Sequence, residues 1–129
     1  MFFKLKQLKT SSVTNEATNK MKIILNYIHE NYMNELPIID IAEACTLSQY
    51  YFMKFFKKHQ GMTCTEYVNL YRLDMATKLL STTDNSVTEI SFETGFNSVS
   101  YFNKLFKEKF KVTPKEFRIT NKRYTNVTP

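Results

Sequence analysis

A block of aromatic, apolar and lysine residues occurs twice in this sequence, and the repeat constrains the fold more than any other feature. Residues 51–57 read Tyr-Phe-Met-Lys-Phe-Phe-Lys, and residues 101–107 read Tyr-Phe-Asn-Lys-Leu-Phe-Lys, at an offset of 50. Further matched pairs lie on both sides of the block: Thr63 with Thr113, Glu66 with Glu116, Tyr67 with Phe117, and, at an offset of 49, Ile41 with Ile90. The chain is therefore a tandem duplication of one structural unit. Two copies are too few for a solenoid.

The second copy of the block predicts a helix with two different faces. Phe102, Leu105 and Phe106 recur at helical spacing and form an apolar stripe that suits a protein core. The opposite stripe combines short polar groups with cations and contains no acid: Val99, Ser100, Asn103, Lys104 and Lys107. A surface helix that serves only solubility usually carries both signs of charge. This face is suited to a structured, negatively charged partner.

The composition predicts an all-α protein. Aliphatic and aromatic residues make up 43% of the 129 residues, including 11 Phe and 8 Tyr, which is enough for an aromatic core. Only 2 Gly and 3 Pro occur, and strand-like alternation is scarce. Together with the duplication, the helix pattern described next predicts two helix-turn-helix subdomains joined by a long linker helix, a fold class of homeodomain-like helical units. The predicted domains are a tail or linker (1–15), the first subdomain (16–62), the connecting helix (63–80), the second subdomain (81–120) and a C-terminal tail (121–129).

Capping signals place the helices along the chain. Three Ser/Thr-x-x-Glu boxes start helices, at Thr63, Ser86 and Thr113. Gly61 is predicted to end a helix in the left-handed conformation, and Gly95 to form a turn. The predicted helices span about 16–32, 38–45, 49–59, 63–80, 86–94, 99–110 and 114–118. In the helix that starts at Ile38, a short apolar stripe predicts that Ile41, Ala42 and Cys45 are buried. A short helix, a tight turn and a longer helix with a basic face form the helix-turn-helix pattern.

The charge of the chain favours a polyanionic partner. The cysteine and histidine positions, and the lack of a membrane span or signal peptide, favour a cytoplasmic protein without a metal or cofactor. The net charge is +6 and the sequence pI is about 9.3, with cations concentrated between Lys104 and Arg123. Cys45 and Cys64 have no metal-ligand spacing and do not make a disulfide framework, and Cys45 is expected to be a buried thiol. His29, beside the apolar stripe of the first helix, is expected to be an ordinary surface or boundary histidine. No stretch has the length of a membrane span, and the N-terminal apolar stretch is too short for a signal peptide.

The sequence resembles the DNA-binding region of the AraC/XylS family of bacterial transcription regulators over about residues 20–119. The most specific part is Ser-Val-Thr-Glu-Ile-Ser-Phe-Glu-Thr-Gly-Phe-Asn-Ser-Val-Ser-Tyr-Phe-Asn-Lys-Leu-Phe-Lys (86–107), followed by Val-Thr-Pro-Lys-Glu-Phe-Arg (112–118). The stretch 72–80 also resembles the family's linker helix. The resemblance implies double-stranded promoter or operator DNA as a partner, contact with RNA polymerase, and two recognition helices (about 49–59 and 99–110) in successive major-groove segments.

The resemblance also assigns roles to individual residues by position. The family's base-facing positions fall on Gln49, Tyr50, Met53 and Lys54 in the first copy and on Val99, Ser100, Asn103 and Lys104 in the second. Gln49 and Asn103 suit adenine edges, whereas Tyr50, Met53 and Val99 suit thymine methyl groups. The positions expected at DNA phosphates are Ser48, Lys57, Lys58, Ser86, Ser98 and Lys107.

Three departures from the family pattern change what is expected. Lys54 and Lys104 stand where the family often has Arg, so guanine readout is less favoured there than a phosphate contact. Lys111 stands where the first copy has Gly61, and a left-handed lysine costs about 1 kcal/mol, so we expect a different turn. Thr46 stands where the second copy has Gly95.

Two alternatives to a complete DNA-binding regulator stay open. The first is a helical adaptor that binds protein through the apolar Tyr50, Met53 and Val99. An enzyme is disfavoured, because the two histidines are isolated and no phosphate loop or metal spacing occurs. The second concerns extent: the chain is either a compact regulator or the output domain of a longer protein with a sensing or dimerisation domain.

Overall fold

The structure is a computed structural model that describes residues 15–122. These residues form seven α-helices and no strand, which confirms the predicted all-α class. The helices are α1 (Asn15–Asn31), α2 (Ile38–Ala44), α3 (Gln49–Gln60), α4 (Cys64–Thr82), α5 (Val87–Glu93), α6 (Val99–Phe110) and α7 (Pro114–Asn121). The predicted terminal tails fall largely on residues 1–14 and 123–129, outside the described range. Among the described helices, none is long and apolar enough to cross a membrane.

The chain divides into two compact units, each with its own core. Unit 1 contains the described residues up to Asn31 together with Leu36–Val68. Unit 2 contains Tyr32–Glu35 and the chain from Asn69 onward. The division falls inside α4, so this helix supplies its first turn and a half to unit 1 and the rest to unit 2.

Unit 1 is organised around the inner face of α3. Phe52 and Phe56 are fully buried, and their ring centroids lie 5.9 Å apart. The ring of Phe56 meets Tyr67 of α4 edge to face at 5.7 Å, a favoured aromatic geometry. Aliphatic side chains of α1 and α2 complete this core: Met21, Ile24, Leu25, Ile28, Ile41 and Ala42. The outer face of α3 is thereby held towards solvent.

Unit 2 repeats this arrangement around α6. Phe102 and Phe106 are fully buried, as predicted for the equivalents of Phe52 and Phe56. The rest of this core comes from α4, α5 and the turn after α5: Leu73, Ala76, Leu80, Ile90 and Phe96. The ring of Phe117 in α7 packs edge to face on Phe106 at 5.6 Å. Burial of the same two ring positions in both copies confirms the duplicated unit.

All three predicted capping boxes form. In the first, the Thr63 backbone N–H donates to Glu66 Oε1 at 2.9 Å, and the Glu66 N–H donates to Thr63 Oγ1 at 3.1 Å. The same reciprocal pairs start α5 and α7. Each box satisfies two N–H groups that a helix start leaves without an intrahelical partner.

The turn after α6 differs from the sequence expectation. Lys111 has φ +70°, in the left-handed region, like Gly61 with φ +83° after α3. In both turns the backbone N–H bonds back to the preceding helix, to Lys57 O at 3.0 Å and to Lys107 O at 2.8 Å. The expectation of a different turn is therefore wrong. The helix end and the capping box that follows impose the same backbone path, and Lys111 tolerates the strain.

The cysteines and His29 lie in unit 1, and Cys45 is less buried than predicted. Cys45 follows the last residue of α2 with a non-helical backbone, so its side chain leaves the apolar stripe of that helix and is only half-buried. Cys64 is buried, and burial raises the pKa of its thiol to about 12, which keeps it protonated. His29 is a boundary residue, as expected: its Nε2 lies 2.8 Å from the Tyr67 hydroxyl, and burial lowers its pKa.

Candidate functional site

The outer face of α3 presents the predicted contact residues of unit 1 together. Ser48 starts the helix, and its Oγ accepts a hydrogen bond from the Tyr51 N–H at 3.2 Å. With Phe52, Phe55 and Phe56 buried on the inner side, the opposite side chains are exposed: Gln49, Tyr50, Met53, Lys54, Lys57 and Lys58. All the unit 1 positions predicted from sequence are therefore on one accessible surface.

The outer face of α6 presents the equivalent residues of unit 2. Ser98 caps this helix in the same way, accepting from the Tyr101 N–H at 3.2 Å. The predicted side chains Ser98, Ser100, Asn103, Lys104 and Lys107 are exposed. Val99 is half-buried, because it sits at the edge of the core face. Seven of the eight predicted base-facing side chains are thus exposed, and the eighth borders the same surface.

The electrostatics of α3 and α6 leave their N-terminal ends open to an anion. Helix N-termini are partly positive, and acidic residues usually occupy the first turn to offset this. Neither helix has an acidic residue in its first turn, and each carries basic residues in its last turn. Within each unit, the exposed helix therefore combines an open N-terminal end with cations in its last turn, and in α6 Glu108 lies among these cations.

The start of α5 is arranged differently from the starts of α3 and α6. Ser86, predicted at a phosphate, caps α5, but its own backbone N–H donates to Glu89 Oε1 at 2.8 Å. The Glu89 carboxylate therefore occupies the position that a phosphate would take at this helix start. Ser48 and Ser98 have no such carboxylate in the first turn beside them.

A groove runs along each exposed helix. In unit 1 it has a volume of about 510 Å³ and lies between Ile38 of α2, the outer residues Tyr50 and Met53 of α3, and Thr63 and Thr65 at the start of α4. In unit 2 it has a volume of about 990 Å³ and is lined at matching positions by Val87, Asn103, Lys104, Thr113 and Lys115. The two grooves have the same origin in the repeat, but the first is more apolar.

Sequence reasoning missed the residues that flank the exposed helices. Lys115 lies in the first turn of α7 and lines the same groove as Lys104 and Lys107, which adds a cation to that surface. Its counterpart in unit 1 is Thr65. The offset of 50 between the copies was the signal that pairs these positions. It does not by itself show that helix starts lie beside the exposed helices.

The capping carboxylates sit near the lysines of the exposed faces. Hydrogen bonds from the Thr63 backbone and hydroxyl lower the pKa of Glu66, and the charge of Lys57 lowers it further. The pKa of Glu116 is lowered in the same way, by Thr113 and then by Lys107. Both glutamates are therefore ionised at neutral pH.

The described residues offer no alternative metal chemistry. Between residues 15 and 122, no group of three or more His, Cys, Asp or Glu side chains is placed to hold a metal ion. The buried Cys64 thiol is protonated, which disfavours metal binding there. The exposed helical faces are the chemical feature that both units share.

Comparisons with known proteins agree with this geometry. A family model described as a helix-turn-helix domain matches residues 41–119. The chain is 38% identical over 110 residues to the regulatory protein PocR of Salmonella typhimurium. This alignment covers 85% of the present chain and 36% of PocR. The chain therefore spans about a third of the length of that curated relative.

Two solved structures have the same fold. The C-terminal domain of the two-component response regulator yesN from Fusobacterium nucleatum is 34% identical, with a TM-score of 0.74 over 78% of this chain and 98% of that one. A transcriptional regulator with an AraC-type DNA-binding domain, from Chromobacterium violaceum, is 26% identical, with a TM-score of 0.76 over 82% of this chain and 95% of that one.

Proposed function

The chain belongs to the AraC/XylS family of transcription regulators, and from this membership we propose that it binds specific sequences of double-stranded promoter or operator DNA. In this role α3 and α6 are the two recognition helices, and they enter successive major-groove segments. A helix of this kind fits the major groove, where each base pair presents a distinct pattern of donors and acceptors.

One observation carries the proposal: both units expose an equivalent helical face that has cations and no acid in its first turn. A single basic helix is often only a solvated surface. Both copies of the repeated block carry lysine at the fourth and seventh positions, namely Lys54 and Lys57 in the first and Lys104 and Lys107 in the second. A shared polyanionic ligand explains this repeated pair of cations better than solubility does. The spacing along each helix matches a base contact followed, one turn later, by a phosphate contact.

Within this proposal, the exposed residues divide into two roles. Gln49 and Asn103 recognise base edges by hydrogen bonds, because their amides can pair with adenine in the major groove. Lys57 and Lys107 contact phosphates, which positions each helix without reading sequence. The open helix starts at Ser48 and Ser98 add backbone N–H donors for phosphate oxygens.

The wider biological role is proposed on the family alone. We place the protein in the bacterial cytoplasm, with RNA polymerase as a further partner and with a sensing or dimerisation domain in the complete regulator. The chain's 36% coverage of PocR is consistent with such an additional domain.

The direct test is selection of bound sequences from a random duplex pool, followed by affinity measurements at several salt concentrations. We expect one enriched sequence that spans two major-groove segments, with binding that weakens steeply as salt rises, since cation–phosphate contacts release counterions. A pool that shows no enrichment and no salt dependence would instead support the protein-binding adaptor, with Tyr50 and Met53 as its contact surface.

A further inference from the structure

We infer that the two recognition helices read DNA by different chemistry at two equivalent positions: Tyr50 and Met53 of α3 recognise thymine C5-methyl groups by apolar contact, whereas Ser100 and Asn103 of α6 recognise bases by hydrogen bonds. This inference rests on the proposed DNA-binding function and assigns the kind of base that each unit prefers.

The first observation is the apolar surface of α3 at two positions where α6 is polar. Tyr50 is 71% exposed and Met53 is 50% exposed, although both are large apolar side chains. Their counterparts at an offset of 50 are Ser100 and Asn103. Together with Ile38, the two α3 side chains line the groove of about 510 Å³ beside the helix. Exposed apolar groups grouped in this way mark a surface that a ligand covers.

The second observation is that the lysine on this face is held by the tyrosine. Lys54 Nζ donates a hydrogen bond to the Tyr50 hydroxyl at 3.2 Å and lies 5.0 Å from the centroid of the Tyr50 ring. Lys54 and Tyr50 lie one helical turn apart, and the pair combines a cation–π contact with a hydrogen bond. A lysine bonded in this way has one of its three N–H donors occupied by the tyrosine hydroxyl, which leaves it less free to extend towards a guanine. The hydrogen-bonding capacity of α3 is therefore lower than its sequence indicates.

The corresponding pair in α6 cannot form this contact. Lys104 has Ser100 four residues before it, and serine has no ring on which an ammonium group can lie. Asn103, one position before Lys104, is exposed and carries both an amide donor and an acceptor. The groove beside α6 adds Thr113 and Lys115. Unit 2 is thus suited to hydrogen-bonded readout at the positions where unit 1 is suited to apolar readout.

Thymine is the base that fits the apolar surface, because only its C5-methyl group is an apolar feature of the major-groove edge. Methionine is flexible and polarisable, so it can follow the contour of a methyl group. Burying one methyl group against such a side chain is expected to change affinity roughly fourfold.

The test compares thymine with deoxyuridine, which lacks only the methyl group. The site selected from the random pool is divided into two blocks, one for each major-groove segment. The thymines of one block, and then those of the other, are replaced by deoxyuridine. We expect replacement in one block to weaken binding roughly fourfold for each methyl group contacted. Replacement in the other block should change affinity less, because Val99 is the apolar member of the predicted base-facing residues of α6 and is half-buried.

Variants then assign the sensitive block to α3. Met53→Asn, which installs the residue of the second copy, should weaken the thymine preference in that block. Met53→Leu should keep the preference, because it preserves an apolar side chain. Lys57→Ala should weaken binding to the thymine and deoxyuridine duplexes equally.

Two results would overturn the inference while leaving DNA binding in place. One is a selected site whose affinity does not depend on thymine methyl groups in either block, including a site without thymine. The other is a thymine preference that Met53→Asn leaves intact. Failure of the pool to yield any specific sequence would contradict the proposed function itself.

Discussion

Arg72 Nε donates a hydrogen bond of 2.8 Å to the backbone carbonyl oxygen of Tyr32, a residue 40 positions earlier in the chain. A second bond, from Arg72 Nη2 to the Asn34 carbonyl, is also 2.8 Å long. The guanidinium is half-buried, and burial lowers its pKa, although an arginine remains protonated at neutral pH. One side chain of α4 therefore attaches the Tyr32–Glu35 segment to unit 2.

Replacing Arg72 should destabilise the protein. Arg72→Met removes the charge and both donors while keeping most of the apolar stem, and we expect a loss of about 2–3 kcal/mol in the free energy of unfolding. Arg72→Lys should lose part of this, because an ammonium group lacks the planar fork that serves two carbonyl groups. Urea denaturation measures both variants. Lys78→Ala, an exposed change on the same helix, is the control, and equal stability of the Met variant and the control would contradict the role of Arg72.

Gly95 should tolerate no side chain. It has φ +100°, and a Cβ at this position would overlap the Tyr32 carbonyl oxygen and lie 2.5 Å from Arg72 Nε. Left-handed strain and overpacking together are expected to make Gly95→Ala less stable by about 3 kcal/mol. The matched position in the first copy is Thr46, with φ +57°. There, Thr46→Gly should relieve strain and raise the melting temperature, so opposite signs for the two variants are expected in thermal unfolding.

Lys111→Gly should stabilise the protein. The left-handed backbone of Lys111, with φ +70°, costs a lysine about 1 kcal/mol that glycine avoids. The reciprocal change, Gly61→Lys, should be destabilising by a similar amount, because Gly61 occupies the equivalent turn with φ +83°. Denaturant midpoints of the two variants test this. A Lys111→Gly variant less stable than the parent would show that the lysine side chain makes a compensating contact.

Stability should fall in acid partly through two capping boxes. The pKa values of Glu66 and Glu116 are lowered from their ordinary value of 4.5 in the folded protein, first by the N-terminal threonine of each box. A lowered pKa in the folded state means that the stabilisation is present above the unfolded pKa and is lost as pH falls through the folded one. The double variant Glu66→Gln, Glu116→Gln should therefore show a weaker dependence of the melting temperature on pH below about 4.5. Unchanged pH dependence would exclude these carboxylates as its source.

Base and phosphate contacts should separate in binding measurements. Asn103→Ala is expected to cost about 1–3 kcal/mol and to relax preference at a few base pairs only. Lys57→Ala and Lys107→Ala should weaken binding to all sequences and each reduce the slope of log affinity against log salt by about 1. If asparagine and lysine variants behave alike in selection and salt titration, the proposed division of roles is wrong. Circular dichroism of each variant checks that helix content is retained.

Much of the candidate site could be predicted from the sequence, because the exposed face of a helix is the complement of its buried face. Once Phe52 and Phe56 are assigned to the core, the periodicity of 3.6 residues places Tyr50, Met53 and Lys57 on the other side. The position of Lys54 over the Tyr50 ring was not predictable in the same way. Helical spacing permits that contact, but which of several lysine conformations is adopted depends on the neighbouring surface. The assignment of individual DNA contacts stays a prediction.

The duplicated unit was evident from comparing two stretches of the sequence. The sequence by itself also determined the features that arise within a few residues of one another: the all-α class, the three capping boxes and the buried phenylalanines. Their hydrogen bonds and periodic contacts span at most one or two helical turns, so a local pattern is sufficient. Only the tertiary structure decided the bonds of Arg72 to Tyr32 and Asn34, the half-exposed Cys45 and the left-handed Lys111. Each depends on how segments distant in the chain, or a helix end and the element after it, fit together. Packing of this kind overrides local preference, since the core contacts it preserves outweigh about 1 kcal/mol of backbone strain.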